Sequence, residues 1–349
     1  MRFYKNQHRY YCGIDLHAKK MYVCVVDSVG KIVLHQNVDA NPDKFLNLIS
    51  EHRDGLVVGV ECMFCWYWLA DLCREEGIPF VLGHALYMKA IAQAKSGNDK
   101  LDSERIAMLL KSGMFPEAYA YPQEMRATRD LMRRRCFFVR KRAELSSHVT
   151  MTHQLYNKKR KKGELKHRCN QVGLVEVFDD ASVREMLEAD LSMINHYTGE
   201  IKKLDLHIKT LTKRENVNRE MFALLRTIPG IGEVLAHTLL YEIHDISRFP
   251  TVQKFCSYAR LVKTKHTSMG KAKRGGSSKI GNQHLKWAFS EAAVMMVRDS
   301  KTAERFVLRQ EKKHGKAKAL SLLAHKLGRA AYFMMLRNTP YSEDAFLKV

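Results

Sequence analysis

The 349-residue chain is poor in negative charge: 37 Asp plus Glu stand against 59 Lys plus Arg, a formal net charge of +22, and the isoelectric point is near 9.6. That deficit makes a phosphate backbone the first partner to expect. Long apolar runs are missing too. No stretch reaches the ~18 residues that a membrane helix needs, and the polar, basic start "MRFYKNQHRYYCG" does not read as a secretory leader. A second cysteine pair is also lacking. Cys62 and Cys65 form a C-x-x-C with no matching pair at similar spacing, which leaves a zinc site half made. The eight cysteines are scattered through a large basic chain, which predicts free thiols in a reducing cytoplasm. The signature of disorder is missing as well, since 46% of residues are hydrophobic and charge is not confined to tails. A chain of this length should divide into two or three domains.

What is present begins with alternation. "YYCGIDLH", "MYVCVVD" and "KIVLHQNV" read as three strands joined by short turns, hence antiparallel neighbours. There follow a helix in "NPDKFLNLISEH", a buried strand "GLVVGVE", a helix around "WYWLADLCREEG", a strand "PFVLG" and helices through "ALYMKAIAQAK" and "LDSERIAMLLKSG". That order is the order of an RNase H-like α/β fold, and we assign it to residues 1–122. Residues 123–215 read as a basic helical, coiled-coil region. Arg133, Arg134, Lys141, Lys158, Lys159 and Arg160 are its candidates for nucleic-acid contact, a solvated positive face being the alternative. From Ala181 to Lys213 an amphipathic helix carries Leu187, Leu191, Ile194, Ile201, Leu204, Ile208 and Leu211 on one stripe. Such a stripe can pair with the preceding helix or with another subunit. Residues 216–349 read as mostly helical. "LLRTIPGIGEVLAHTLLYEI" has the layout of a helix-hairpin-helix, in which Gly230 and Gly232 would let the backbone approach a phosphate.

Two carboxylates interrupt apolar strands: Asp15 in "CGIDLH" and Glu61 at the end of "LVVGVE". A carboxylate in such a place asks for a partner or a cation. "NDKLDSERIA" puts Asp99 and Asp102 at i and i+3 on one face of a helix start, where either could instead be a cap. In the expected sheet the first and fourth strands are neighbours, which would bring Asp15 and Glu61 together. Four oxygen-donor groups converging there would suit one or two Mg2+ ions. Asp27 and Glu104 compete for such a role, but Asp27 stands before a turn, where a solvated Asp needs no further explanation.

The segment "HTSMGKAKRGGSSKIGNQHLKW" holds three serines, four glycines and five lysines or arginines. Serine needs a base, a metal or a stabilised leaving group before it can attack. Lys265, Lys271, Lys273 and Arg274 would offset charge developing on a phosphate. Ser268, Ser277 and Ser278 are all candidates, with Ser278 also reading as the cap of a helix over 282–293. "GSSKIGNQ" has the glycine spacing of a nucleotide-binding loop. Asn282 and Gln283, however, stand where Lys and Ser or Thr are required, which argues against nucleotide hydrolysis.

With these residues in view, the chain resembles the insertion-sequence "one-ten" family of transposases, relatives of the pilin-gene invertases. Asp15, Glu61, Asp99 and Asp102 resemble that family's DEDD motif in a RuvC-like domain. "IPGIGEVLAHTLLYEIHDISRFPTVQKFCSYARLV" and "SMGKAKRGGSSKIGNQHLKWAFSEAA" resemble its second domain. The resemblance implies a prokaryotic DNA recombinase, cytoplasmic and nucleoid-associated when active, with Mg2+ on the four carboxylates. A C-terminal serine would form a covalent 5′-phosphoserine link to DNA. It further implies a structured guide RNA, the bridge RNA, that pairs with donor and target DNA, and homodimers that join into a tetramer. The family's serine motif falls on "SMG" and so on Ser268, with Met269 intervening before the glycine, and Ser278 is the alternative. A metal-only, junction-resolving nuclease is the competing function, and a non-catalytic nucleic-acid scaffold the third.

Overall fold

The computed structural model describes residues 2–91, 98–214, 219–263, 266–268, 271–273 and 280–348, with backbone alone at 212–214, 266–268, 271–273, 347 and 348. The chain forms two compact units, Met1–Glu124 and Met125–Val349.

The first unit is a mixed sheet covered on both faces. A short strand β1 (Phe3–Tyr4) precedes the antiparallel run β2 (Tyr10–Leu16), β3 (Lys20–Asp27) and β4 (Ile32–Asp39), the three strands expected from the sequence. Asp27 closes the β3–β4 turn by accepting from the backbone N–H groups of Val29, Gly30 and Lys31 at 3.0, 2.9 and 2.8 Å, so it serves the turn. Helix α1 (Pro42–Ile49), capped by Asn41, carries the chain across to β5 (Leu56–Glu61), which pairs parallel to β2. The almost continuous burial of "LVVGV" is what a central parallel strand requires. Helix α2 (Tyr67–Glu75) leads to β6 (Phe80–Gly83), completing the order β4-β3-β2-β5-β6. Helices α3 (Ala85–Ile91) and α4 (Asp99–Lys111) follow, and β7 (Phe115–Pro116) pairs with β1. Alternation along β2 divides the core. Cys12, Ile14 and Leu16 pack with Phe45, Ile49, Leu69 and Cys73, while Tyr11 packs with Ile106, Ala107 and Leu110 on the opposite face.

The second unit is helical apart from one strand pair, among the described residues. The long helices α5 (Gln123–Leu155) and α6 (Ala181–Arg214) lie antiparallel. Arg135 Nε meets Asp205 Oδ1 at 2.5 Å, Arg142 meets Thr198, and His148 Nδ1 meets Asp190 Oδ2 at 2.5 Å. The α6 stripe is buried at Leu187, Leu191, Ile194, Ile201 and Ile208. It pairs within the chain, since Val149 of α5 shares a cluster with Leu187, Leu191 and Ile194. Then come α7 (Arg219–Arg226), α8 (Glu233–Ile243) and α9 (Val252–Tyr258). The strands β8 (His266–Ser268) and β9 (Lys271–Lys273) pair antiparallel, and α10 (Gln283–Asp299), α11 (Lys301–His314), α12 (Lys316–Arg337) and α13 (Glu343–Lys348) end the chain. Leu239, Phe255, Phe289, Leu323 and Leu327 are among the buried centre of this unit. No helix among the described residues is long and apolar enough to cross a membrane.

Candidate active site

Two glycines build the acidic site of the first unit. Gly13 and Gly59 are register partners on β2 and β5. Both turn toward α4: a Cβ on Gly13 would stand 2.2 Å from Ala107 N, and one on Gly59 would stand 2.4 Å from Leu110 Cδ1. Side chains on a strand alternate, so Asp15 and Glu61, each two residues beyond a glycine, face the same way. Helix α4 therefore lies flat on the sheet, with its first turn beside Asp15. Among the described residues one group could hold a metal ion. Asp15, His17 and Asp99 offer ligand atoms that all lie within 4.8 Å of one another. His17 Nε2 is 3.3 Å from Asp15 Oδ2 and 3.8 Å from Asp99 Oδ1.

Glu61 and Asp102 lie outside that group but within electrostatic reach of it. Burial, opposed by His17 and reinforced by Asp99 and Asp102, raises the Asp15 carboxyl above the usual range. Burial raises Glu61 as well, against the pull of Lys89 and with Asp15 and Asp102 adding to the rise. Half-buried carboxylates that resist ionisation are groups a cation would relieve. Three convergent donors, two of them carboxylates, fit a divalent ion. Asp102 Oδ1 also takes a 2.7 Å bond from Arg105 Nη1. The cap of α4 is neither aspartate. Asn98 Oδ1 accepts from Leu101 N at 2.8 Å, leaving Asp99 clear of that duty. The sequence reading missed His17 and Lys89. For His17 the signal was present, since in "DLH" it stands two residues beyond Asp15, just past the end of β2. Lys89 sits on α3 and has no such local mark.

In the second unit the "PGIG" turn joins α7 to α8 as expected. Gly230 (φ 82°) faces α10, where a Cβ would meet Met296 N at 2.4 Å, whereas Gly232 directly precedes α8 as its N-cap residue, with nothing within 4 Å of such an atom. Ser268 ends β8 and pairs with Lys271 at the start of β9, and Lys273 pairs with His266. Lys265, Met269, Arg274, Ser277 and Ser278 lie outside the described residues. The cap of α10 is Asn282, whose Oδ1 accepts from His284 N and Leu285 N at 2.8 and 3.1 Å. On α5, Arg133 gives two bonds to Glu242, at 2.7 and 2.9 Å, in the interior of the unit. Arg134 is exposed beside Phe137, and Lys141 pairs with Glu144 at 2.8 Å. Lys158 and Lys159 are exposed, and Arg160 reaches the Gly163 carbonyl at 3.2 Å.

Comparison with known proteins agrees with both halves. Residues 12–156 match a family model described as a transposase, the DEDD domain of the IS110 type, and residues 222–308 match one described as "Transposase IS116/IS110/IS902 family". The pilin gene-inverting protein of Moraxella bovis is 30% identical over 154 residues, 43% of this chain and 48% of that protein. Its counterpart in Moraxella lacunata aligns to the same extent. The chain thus spans about half the length of these two relatives. The transposase for insertion sequence element IS1111A of Coxiella burnetii is 21% identical over 296 residues, 83% of this chain and 78% of that protein. The first match contains Asp15, His17, Glu61, Asp99 and Asp102, the second contains Gly230, Gly232, Ser268 and Asn282, and the chain carries the two domains of IS110-family transposases.

Proposed function

We propose that the chain is the RNA-guided DNA recombinase of an insertion sequence, breaking and rejoining DNA through a 5′-phosphoserine. The observation that carries this reading is the joint one. The Asp15–His17–Asp99 group lies inside the transposase match at 12–156, and a strand pair ending in a serine among lysines lies inside the match at 222–308. In this reading residues 1–122 are an RNase H-like domain, 123–215 a basic helical region, and 216–349 a transposase domain with a helix-hairpin-helix. Asp15, Glu61, Asp99 and Asp102, with His17 beside them, would hold Mg2+. The ion would supply Lewis-acid stabilisation of a phosphate oxygen. Ser268 Oγ forms a bond to the DNA phosphorus as the P–O3′ bond breaks, and the serine proton leaves with the 3′ oxygen. The 5′-phosphoserine retains the bond energy, so the 3′ hydroxyl of another strand rejoins it by the reverse displacement. Lys265, Lys271, Lys273 and Arg274 offset the charge that develops. Gly232, with Arg134, Lys158 and Lys159, supplies backbone-phosphate contacts. Donor and target DNA are selected by pairing with a bridge RNA, and homodimers join into a tetramer on the two duplexes.

The experiment is a search for a denaturant-resistant protein–DNA adduct formed with Mg2+ and the RNA that co-purifies with the chain. The wild-type protein should form one, and Ser268→Ala should form none while still binding DNA. Strand cleavage without an adduct would replace this reading with that of a metal-only nuclease. An adduct that survives in Ser268→Ala but not in Ser278→Ala would move the nucleophile.

A further inference from the structure

Glu242, one residue from the end of α8, is a carboxylate in the interior, 2% exposed. It accepts from Arg129 Nε at 3.1 Å, from Arg133 Nε at 2.7 Å and Nη2 at 2.9 Å, and from Asn282 Nδ2 at 2.7 Å. A buried ion cluster seldom exceeds its desolvation cost as a source of stability, and its best-attested use is to fix a register. The residue held in register here is Asn282. Its Oδ1 caps α10, and its backbone N–H donates to the Tyr258 carbonyl at 2.6 Å.

The same place receives the other end of the serine-bearing segment. The chain leaves α9 at Arg260, whose φ of 54° turns it sharply, with Leu261 N donating to the Cys256 carbonyl at 2.9 Å. It returns at Ile280, whose carbonyl accepts from Arg260 Nε at 3.0 Å. At Gly281, φ is 98° and a Cβ would stand 2.5 Å from Tyr258 O, so that only glycine fits this return. Arg260 and the Ile280–Asn282 stretch therefore meet beside Tyr258 at the end of α9, and the β8–β9 pair with Ser268 lies between them in the chain.

We propose that Asn282 is a positioning residue for Ser268. Tied to Glu242, it sets where the segment joins α10 and hence where the strand pair presents the serine. The link to catalysis rests on Ser268 being the nucleophile; the anchor itself does not. Asn282→Asp and Asn282→Ser both keep an oxygen to cap α10. The first cannot donate to Glu242 and the second cannot reach it. Glu242→Gln combined with Asn282→Asp transposes amide and carboxylate, which restores a donor–acceptor pair and keeps one negative charge beside Arg129 and Arg133.

The test uses the full-length chain with its co-purified RNA. Amide exchange is followed at 266–268 and 271–273, alongside DNA affinity and the single-turnover rate of adduct formation at saturating DNA. Each single variant should speed exchange and slow the adduct by roughly tenfold or more, with DNA affinity within about twofold of wild type. The double variant should recover both to within about threefold, the coupling expected of a direct pair. Wild-type exchange in both single variants, or a double variant no better than Asn282→Asp, overturns the proposal. An adduct missing even from the wild-type chain overturns the nucleophile reading alone, and exchange in the three variants still decides the anchor.

Discussion

Gly13 of β2 and Ala107 of α4 meet backbone to backbone. A Cβ on Gly13 would lie 2.2 Å from Ala107 N and 2.3 Å from Ser103 O. Both of those atoms belong to a helix backbone, so no side chain can swing aside. Gly13→Ala should therefore push α4 off the sheet, weaken the first unit by roughly 1–3 kcal/mol or more and draw Asp99 away from Asp15. Urea unfolding and titration with Mn2+ as a spectroscopic stand-in for Mg2+ would both register the change. Gly59→Ala meets the Leu110 side chain, Cδ1 at 2.4 Å and Cγ at 3.0 Å, rather than backbone, and should be the milder of the two.

A divalent cation that binds the folded site should raise the melting temperature. At a hundred times its dissociation constant the gain is about 2.7 kcal/mol. The thermal shift on adding Mg2+ or Mn2+ measures this without any reaction. Asp15→Asn and Asp99→Asn should abolish the shift, since both offer ligand atoms to the 4.8 Å group. A full shift in Asp15→Asn would remove the metal from the mechanism.

Cap and ligand are adjacent residues and separate cleanly. Asn98→Ala removes the acceptor for Leu101 N and should cost about 1 kcal/mol of stability, leaving the cation-induced shift nearly intact. Asp99→Asn should do the reverse, keeping the cap and losing the ligand. Chemical denaturation with and without the ion distinguishes the two patterns.

Glu242 predicts a particular acid limb in the stability of the second unit. Burial would raise its carboxyl, but the bonds from Arg133 and Asn282 and the charges of Arg129 and Arg133 bring it from an ordinary 4.5 down to about 2. A carboxylate strengthened on folding contributes stability above its unfolded value and loses it as pH falls through the folded one. Roughly 3 kcal/mol should therefore disappear between pH 4.5 and pH 2. In Glu242→Gln that acid limb should flatten, and removing the charge that the two arginines face should cost roughly 3–5 kcal/mol at neutral pH. Unfolding curves collected across that range supply the check.

Much of this was legible along the chain. "YYCGIDL" and "LVVGVE" are short apolar runs and the α6 stripe has spacings of three and four, and each became the strand or helix it implies. The acidic candidates were legible as charges on otherwise apolar strands. Less visible was what the opposite partner does. Arg133 looked like one more cation on a basic helix, yet it faces Glu242, which lies 109 residues further along the chain. The "HTSMGKAK" stretch was read only for its serine and its lysines, and it contains a strand pair. Pairing depends on which backbone comes alongside, and that is not written locally. Nothing near Gly230 in the sequence marks its neighbour on α10, where a Cβ would meet Met296 N at 2.4 Å.

By itself the sequence determined the order and type of the main elements, the excess of positive charge and the short list of acids and serines. Those follow from local periodicity and composition, which each segment carries alone. Only the tertiary structure decided that His17 joins Asp15 and Asp99, that Asn98 rather than an aspartate caps α4, and that Glu242 holds Asn282. The cap is a local bond settled by where the helix starts, whereas the other two depend on the distance between residues remote in sequence, and that distance is set by how closely two backbones pack, down to the missing Cβ of Gly13.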